Sequence, residues 1–295
     1  MIPLISSRCR GLLGVSQLPR TWWKALLHGA GLLDAAYPPC SRELDSWCLD
    51  VLEIDRKDAM DHLRTAMPTY LEFEAWILER RGGRFNQARI ARWNNAVERR
   101  VHANPAKIAE TYGDIGWDTD AETEVSALLL NCLQDWALFY RTREAMPFTM
   151  PPLISSLDTG PLGVLQLPRT WLKVLLRGQG MLHSDYPDCG GGLDAGVFEV
   201  LGVDPDRALR FLREETPSYL RFEAWVREQT NNRFDRDRIA TWHRFLVDRV
   251  HPEGKRTAIH STIGRPDDGS VVHGVILNHL EDWALAHKAL LDHIQ

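Results

Sequence analysis

The chain has 295 residues, 44% of them hydrophobic and 25% charged, and this length suits two ordinary domains that each bury a core without staples. A formal charge of -5 and a pI near 6.1 argue against nucleic acid as a partner, because a general nucleic-acid binder carries a basic face. Five cysteines (Cys9, Cys40, Cys48, Cys132, Cys189) with no CxxC pair exclude a disulfide framework and a zinc ribbon.

In chain order, the opening MIPLISSRCRGLLGV is too briefly apolar for a signal peptide, and Trp22, Trp23 and Lys24 follow soon after. No uninterrupted apolar run reaches the ~18 residues of a membrane span, so the expectation is a cytoplasmic protein with no membrane partner. Leu18-Pro19-Arg20 opens a helix, with Trp22, Leu26 and Gly29 on one face and Gly31 as its stop. A loop with Tyr37-Pro38 and Cys40 follows, then a short helix from near Asp45 to Leu52. Asp55 starts the third helix, a fourth follows, and Asn86 caps a fifth that carries Trp93. The segment 111–123 reads as a surface loop, and a long final helix spans about 120–143.

From Pro152 the chain repeats itself. Residues 3–102 align without a gap on 152–251, and about half of the positions are identical. The register then slips by two and recovers where Asn131, Asp135 and Trp136 meet Asn278, Asp282 and Trp283. Asp204-Pro205 is a cap followed by proline, Thr216-Pro217 repeats the device for a helix over 218–229, Asp235 caps the next, and the last runs from about Ser270 to His293. Sustained period-two alternation is lacking. The expected fold is all-α, with about six helices per repeat, in two homologous domains (1–147 and 151–295) related by a pseudo-twofold. The connector from Met146 to Pro152 is short and apolar, so the halves should pack together.

Leu-Pro-Arg-Thr-Trp-x-Lys occurs in both copies and carries the strongest candidates for chemistry. Arg20 and Lys24, like Arg169 and Lys173, lie four apart on one helix face, in first turns where the dipole prefers carboxylates. Two readings stand open: an anion site for a carboxylate or phosphate, or ion pairs with carboxylates from elsewhere, such as Asp45 and Asp135 (Asp194 and Asp282). Tyr37 and Tyr186 either reach a ligand or pin their loops. Cys40 and Cys189 keep their place, yet no histidine does so nearby, since His28 becomes Arg177 and Asp34 becomes His183; buried packing suits these thiols better than nucleophilic catalysis. Glu74 and Glu223 read as surface glutamates. The paired tryptophans read as core. No metal-ligand spacing and no glycine-rich phosphate loop recurs in both copies, so neither a metal nor a cofactor is expected.

Leu167-Pro168-Arg169 with Lys173, Gly180 with Tyr186, Leu193-Asp194, Phe198 through Leu201-Gly202-Val203-Asp204, and Tyr219 with Phe222 and Trp225-Val226 follow one another in an order that resembles the bacterial domain of unknown function family 5069. The first copy shows the same order but departs at Glu53, where the second has Gly202. The resemblance covers roughly the first half of each repeat. It implies a compact helical domain and brings no reaction with it. Function therefore divides between a non-catalytic interaction or scaffold protein, an intramolecular pseudo-dimer that is monomeric in solution, and a binder or enzyme with one pocket per domain for a small anionic ligand.

Overall fold

The computed structural model describes residues 1–38, 40, 43–118 and 124–295. Among them the regular structure is helical, and extended pairing is limited to isolated bridges such as Val101 with Ser126 and Val250 with His273. The first half contains α1 (Leu18–Gly29), α2 (Leu44–Val51), α3 (Arg56–Ala66), α4 (Tyr70–Arg80), α5 (Gln87–Arg99), α6 (Pro105–Ile115) and α7 (Ala127–Thr142). After one 3-10 turn (Arg143–Ala145) come α8 (Leu167–Gly178), α9 (Gly192–Leu201), α10 (Pro205–Glu215), α11 (Tyr219–Gln229), α12 (Arg236–Asp248), α13 (Glu253–Thr262) and α14 (Gly274–Ile294). No described helix is long and apolar enough to cross a membrane.

Local chemistry starts these helices. Asp55 and Asp204 accept from the backbone N–H three residues on, Thr69 and Glu72 form a reciprocal capping box, and Asn86 and Asp235 cap α5 and α12. Four expectations need correction. Among the described residues each half has seven α-helices, because α6 and α13 lie between the fifth and the last expected helices, where none was expected; α6 even opens on a capping Asn104 followed by Pro105. Thr111 and Tyr112 belong to α6 and are buried, so the presumed surface loop begins only after Ile115. The final helices start later than expected, at Ala127 behind the Ser126 cap and at Gly274; residues 120–123 of the expected α7 lie outside the described ones. Thr216 ends α10 in a left-handed conformation (φ 39°), and Ser218 caps α11 instead.

The helices α1 and α8 are central. Every residue from Leu18 to Leu27, and from Leu167 to Leu176, is buried, so these helices are covered on all sides rather than on one stripe. Trp22 and Trp171 donate their indole N–H to the carbonyls of Pro68 and Pro217, both at 2.9 Å. One continuous hydrophobic cluster runs through both halves. Across the middle, α4 packs on α14 and α11 on α7. Tyr70 meets Trp283 edge-on with ring centroids 4.6 Å apart, and Tyr219 meets Trp136 at 4.7 Å. Each buried indole removes on the order of 200 Å² from water, worth about 5 kcal/mol before conformational entropy is counted. The connector is tied down as well: Met150 N–H donates to Met181 O at 2.8 Å, and His183 N–H to Met150 O at 2.9 Å.

Candidate functional site

Burial of α1 forces its two cations to find partners, since an unpaired charge in such a place is very costly. Arg20 reaches α7, where Nη1 and Nη2 donate to the two carboxylate oxygens of Asp135 at 2.6 and 3.1 Å. Nη1 also donates to the carbonyls of Pro3 (2.5 Å) and Ile5 (2.9 Å). The Tyr37 hydroxyl donates to Asp135 at 2.6 Å, with its ring 5.8 Å from the guanidinium carbon. One turn further along α1, Lys24 donates to Asp45 of α2 at 2.6 Å, and the second oxygen of Asp45 accepts from Gln17 (2.7 Å) and Thr21 (2.8 Å).

The second half builds the same two clusters. Arg169 holds Asp282 at 2.7 and 3.1 Å, Tyr186 donates to the same carboxylate, and Lys173 holds Asp194 at 2.5 Å with Thr170 at 2.8 Å and Gln166 at 3.0 Å. All ten candidate residues therefore assemble, five in each half, and the charged ones are buried. Burial opposes the charge on Arg20 and Arg169, but Asp135 and Asp282 more than offset it and raise both pKa values. Burial also disfavours ionised Asp45, yet Lys24, Thr21 and Gln17 hold its pKa below the ordinary value. Burial first, then the neighbouring carboxylates, push the Tyr37 and Tyr186 phenols upward, so both act as hydrogen-bond donors. A polar cavity of about 230 Å³ adjoins the first-half cluster and is lined by Arg20, Lys24, Tyr37, Asp45 and Asp135.

The other candidates separate from this cluster. Asn131 and Asn278 bond the ring nitrogens of His102 (3.0 Å) and His251 (2.8 Å), the one matched histidine pair. Cys40 and Cys189 are buried with raised pKa values, that of Cys189 pushed up to about 12 mainly by desolvation, which leaves no thiolate for nucleophilic work. Glu74 and Glu223 are not surface residues. Glu74 is 4% exposed and accepts from Leu12 N–H, Leu13 N–H and the Tyr70 hydroxyl at 3.0, 3.0 and 2.7 Å. Glu223 accepts from Leu162 N–H at 3.0 Å and from Tyr219 at 2.5 Å. The i,i+4 Tyr–Glu spacing on α4 and α11, repeated in both copies, was the available signal.

Gln17 and Gln166 were also missed. Both cap their helices in a left-handed conformation (φ 75° and 76°), which costs about 1–2 kcal/mol outside glycine. Between the halves, Ser6 donates to buried Asp158 at 2.7 Å; within the second half, His279 bonds the Ser155 hydroxyl at 2.7 Å. Among the described residues, no group of three or more His, Cys, Asp and Glu side chains is arranged to hold a metal ion. Comparisons with protein-family models, with curated proteins and with solved structures found no match.

Proposed function

We propose that this is a non-catalytic interaction or scaffold protein, an intramolecular pseudo-dimer of two homologous halves whose buried charges serve architecture. The observation that carries the reading is that all four cations in the first two turns of α1 and α8 are closed by carboxylates of their own half: Arg20 by Asp135, Lys24 by Asp45, Arg169 by Asp282 and Lys173 by Asp194. A guanidinium with four acceptor contacts has little left to offer a substrate anion. These pairs fasten α1 to α2 and α7, and α8 to α9 and α14, fixing register where apolar contacts alone are non-directional.

Reciprocity supports the pseudo-twofold. Tyr70 meets Trp283 while its counterpart Tyr219 meets Trp136, so each half offers the same surface to the other, as across an isologous interface. The kinship with domain family 5069 belongs to this proposal and rests on the order of the shared motifs. Five free cysteines suit a reducing, cytoplasmic setting.

Thermal-shift screening against carboxylates and phosphorylated metabolites tests the role of the pairs, using the wild type, Tyr37→Phe/Tyr186→Phe and Arg20→Ala/Arg169→Ala. The architectural reading expects no shift that depends on these residues. It also expects a loss of about 3–5 kcal/mol for each arginine removed, because an aspartate is then left buried and unpaired. A ligand-induced rise that disappears in a still-folded variant would establish an anion pocket in its place.

A further inference from the structure

A large cavity lies away from the paired charges. It is a cleft of about 910 Å³ between α4 of the first half and the α13–α14 corner of the second, within the size range of small-molecule sites. Leu71, Ala75 and Leu78 recur at helical spacing along one wall, and Ile263, Ala284 and Leu285 form the facing one. Leu12 and Leu78, which also line it, are 39% and 43% exposed.

The charged groups along this cleft are unequally committed. Glu74, at its floor, is satisfied by two backbone N–H groups and the Tyr70 hydroxyl. Glu72 accepts from the backbone and side chain of Thr69. Asp185 stands at the rim, largely exposed, beside His183. The His287 ring donates to Met67 O at 2.8 Å. The cations are freer. Lys288 is exposed and has no ion pair among the described residues. Arg265 spends Nη2 on the Ser270 hydroxyl at 2.8 Å and on the Asp268 carboxylate at 3.6 Å, while its Nη1 is buried without an acceptor.

The second copy supplies the comparison. Its cleft between α11 and the α6–α7 corner measures about 640 Å³. Pro161 replaces Leu12 there, and Arg227 replaces Leu78. Arg141 holds the position of Lys288 but is bound to Asp114, donating to its carbonyl at 2.6 Å. The first cleft combines a long apolar wall with the unpaired Lys288 and the unspent Nη1 of Arg265.

We infer that the α4/α13–α14 cleft binds a small amphipathic carboxylate, its acid group at Arg265 and Lys288 and its hydrocarbon body along Leu12, Leu71, Leu78 and Leu285. Hydrocarbon burial supplies the affinity and the two cations the orientation, since an acid must end where donors are unspent. The inference does not depend on the role of the paired charges of α1 and α8.

Titration calorimetry on the full chain with decanoate below its micellar concentration tests it, with decanol, decylammonium and acetate as comparators. Saturable one-site binding of decanoate is expected, at least tenfold tighter than decanol, with acetate silent. Lys288→Gln, an exposed position, should weaken decanoate at least tenfold and leave decanol unchanged. Leu78→Arg, which installs the residue of the matching cleft, should weaken both, whereas Arg227→Ala should change neither. The inference is overturned by the absence of saturable decanoate binding, by decanol or decylammonium binding as tightly, or by decanoate affinity that survives Lys288→Gln.

Discussion

The clearest perturbation concerns a single missing backbone N–H. Glu74 and Glu223 occupy matched buried positions, but Leu12, which donates to Glu74 at 3.0 Å, is matched by Pro161, which has no N–H to give. Burial raises both carboxyls, and Glu223 is pushed from 4.5 to about 7. The folded state thus keeps a proton that the unfolded chain releases. Stability is unaffected below the unfolded pKa, falls as pH rises from 4.5 to about 7, and levels off above, a total of roughly 3 kcal/mol. Denaturant unfolding between pH 5 and 8.5 should show this loss in wild type relative to Glu223→Gln, whose side chain cannot ionise. Pro161→Leu restores the donor. A hydrogen bond to a charged acceptor is worth about 1.5–3 kcal/mol, against about 0.4–1 kcal/mol lost by freeing the unfolded chain of a proline. The variant should therefore lose less stability toward pH 8 and be the more stable protein there. Parallel pH curves for wild type and Glu223→Gln would refute the reasoning.

Three further outcomes follow from the same packing. A Cβ at Gly11 or Gly160 would sit 2.2 or 2.3 Å from the ring of Tyr70 or Tyr219, so Gly11→Ala and Gly160→Ala should each cost about 1–3 kcal/mol or more in thermal unfolding; neutral substitutions would mean that the Tyr–Glu units move freely. All five cysteines are free and buried, so a thiol-reactive dye should label the native protein slowly and reach five equivalents in denaturant; rapid native labelling of Cys9 would contradict its thiol being pushed up to about 12 by burial. Residues 1–147 expressed alone should form a homodimer by light scattering, with Trp136 of each copy on Tyr70 of the other in place of Tyr219. A well-folded monomeric fragment would sink the pseudo-dimer reading.

Much of the helical framework was legible along the chain because it is local. Pro19 opening α1, Asp204 before Pro205, and Asn86 and Asp235 at their caps act within one turn, so residue type alone reports them. The Asn104-Pro105 start of α6 is equally local, although the poorly retained segment 111–123 that follows it reads as a loop. The doubling, the shared face of Arg20 and Lys24, and the tryptophan positions are likewise properties of the sequence by itself. What closes on those positions is not. Arg20 and Asp135 stand 115 residues apart, and Glu74 meets Leu12 from 62 residues away. Helical period marks which face is apolar without stating what covers it, so it could not reveal that α1 and α8 are enclosed on every side or that Glu74 is buried. The crossing of Trp136 to Tyr219 and Trp283 to Tyr70, and the unequal clefts beside those contacts, arise only once the halves pack, because each is made from surfaces that no single half contains.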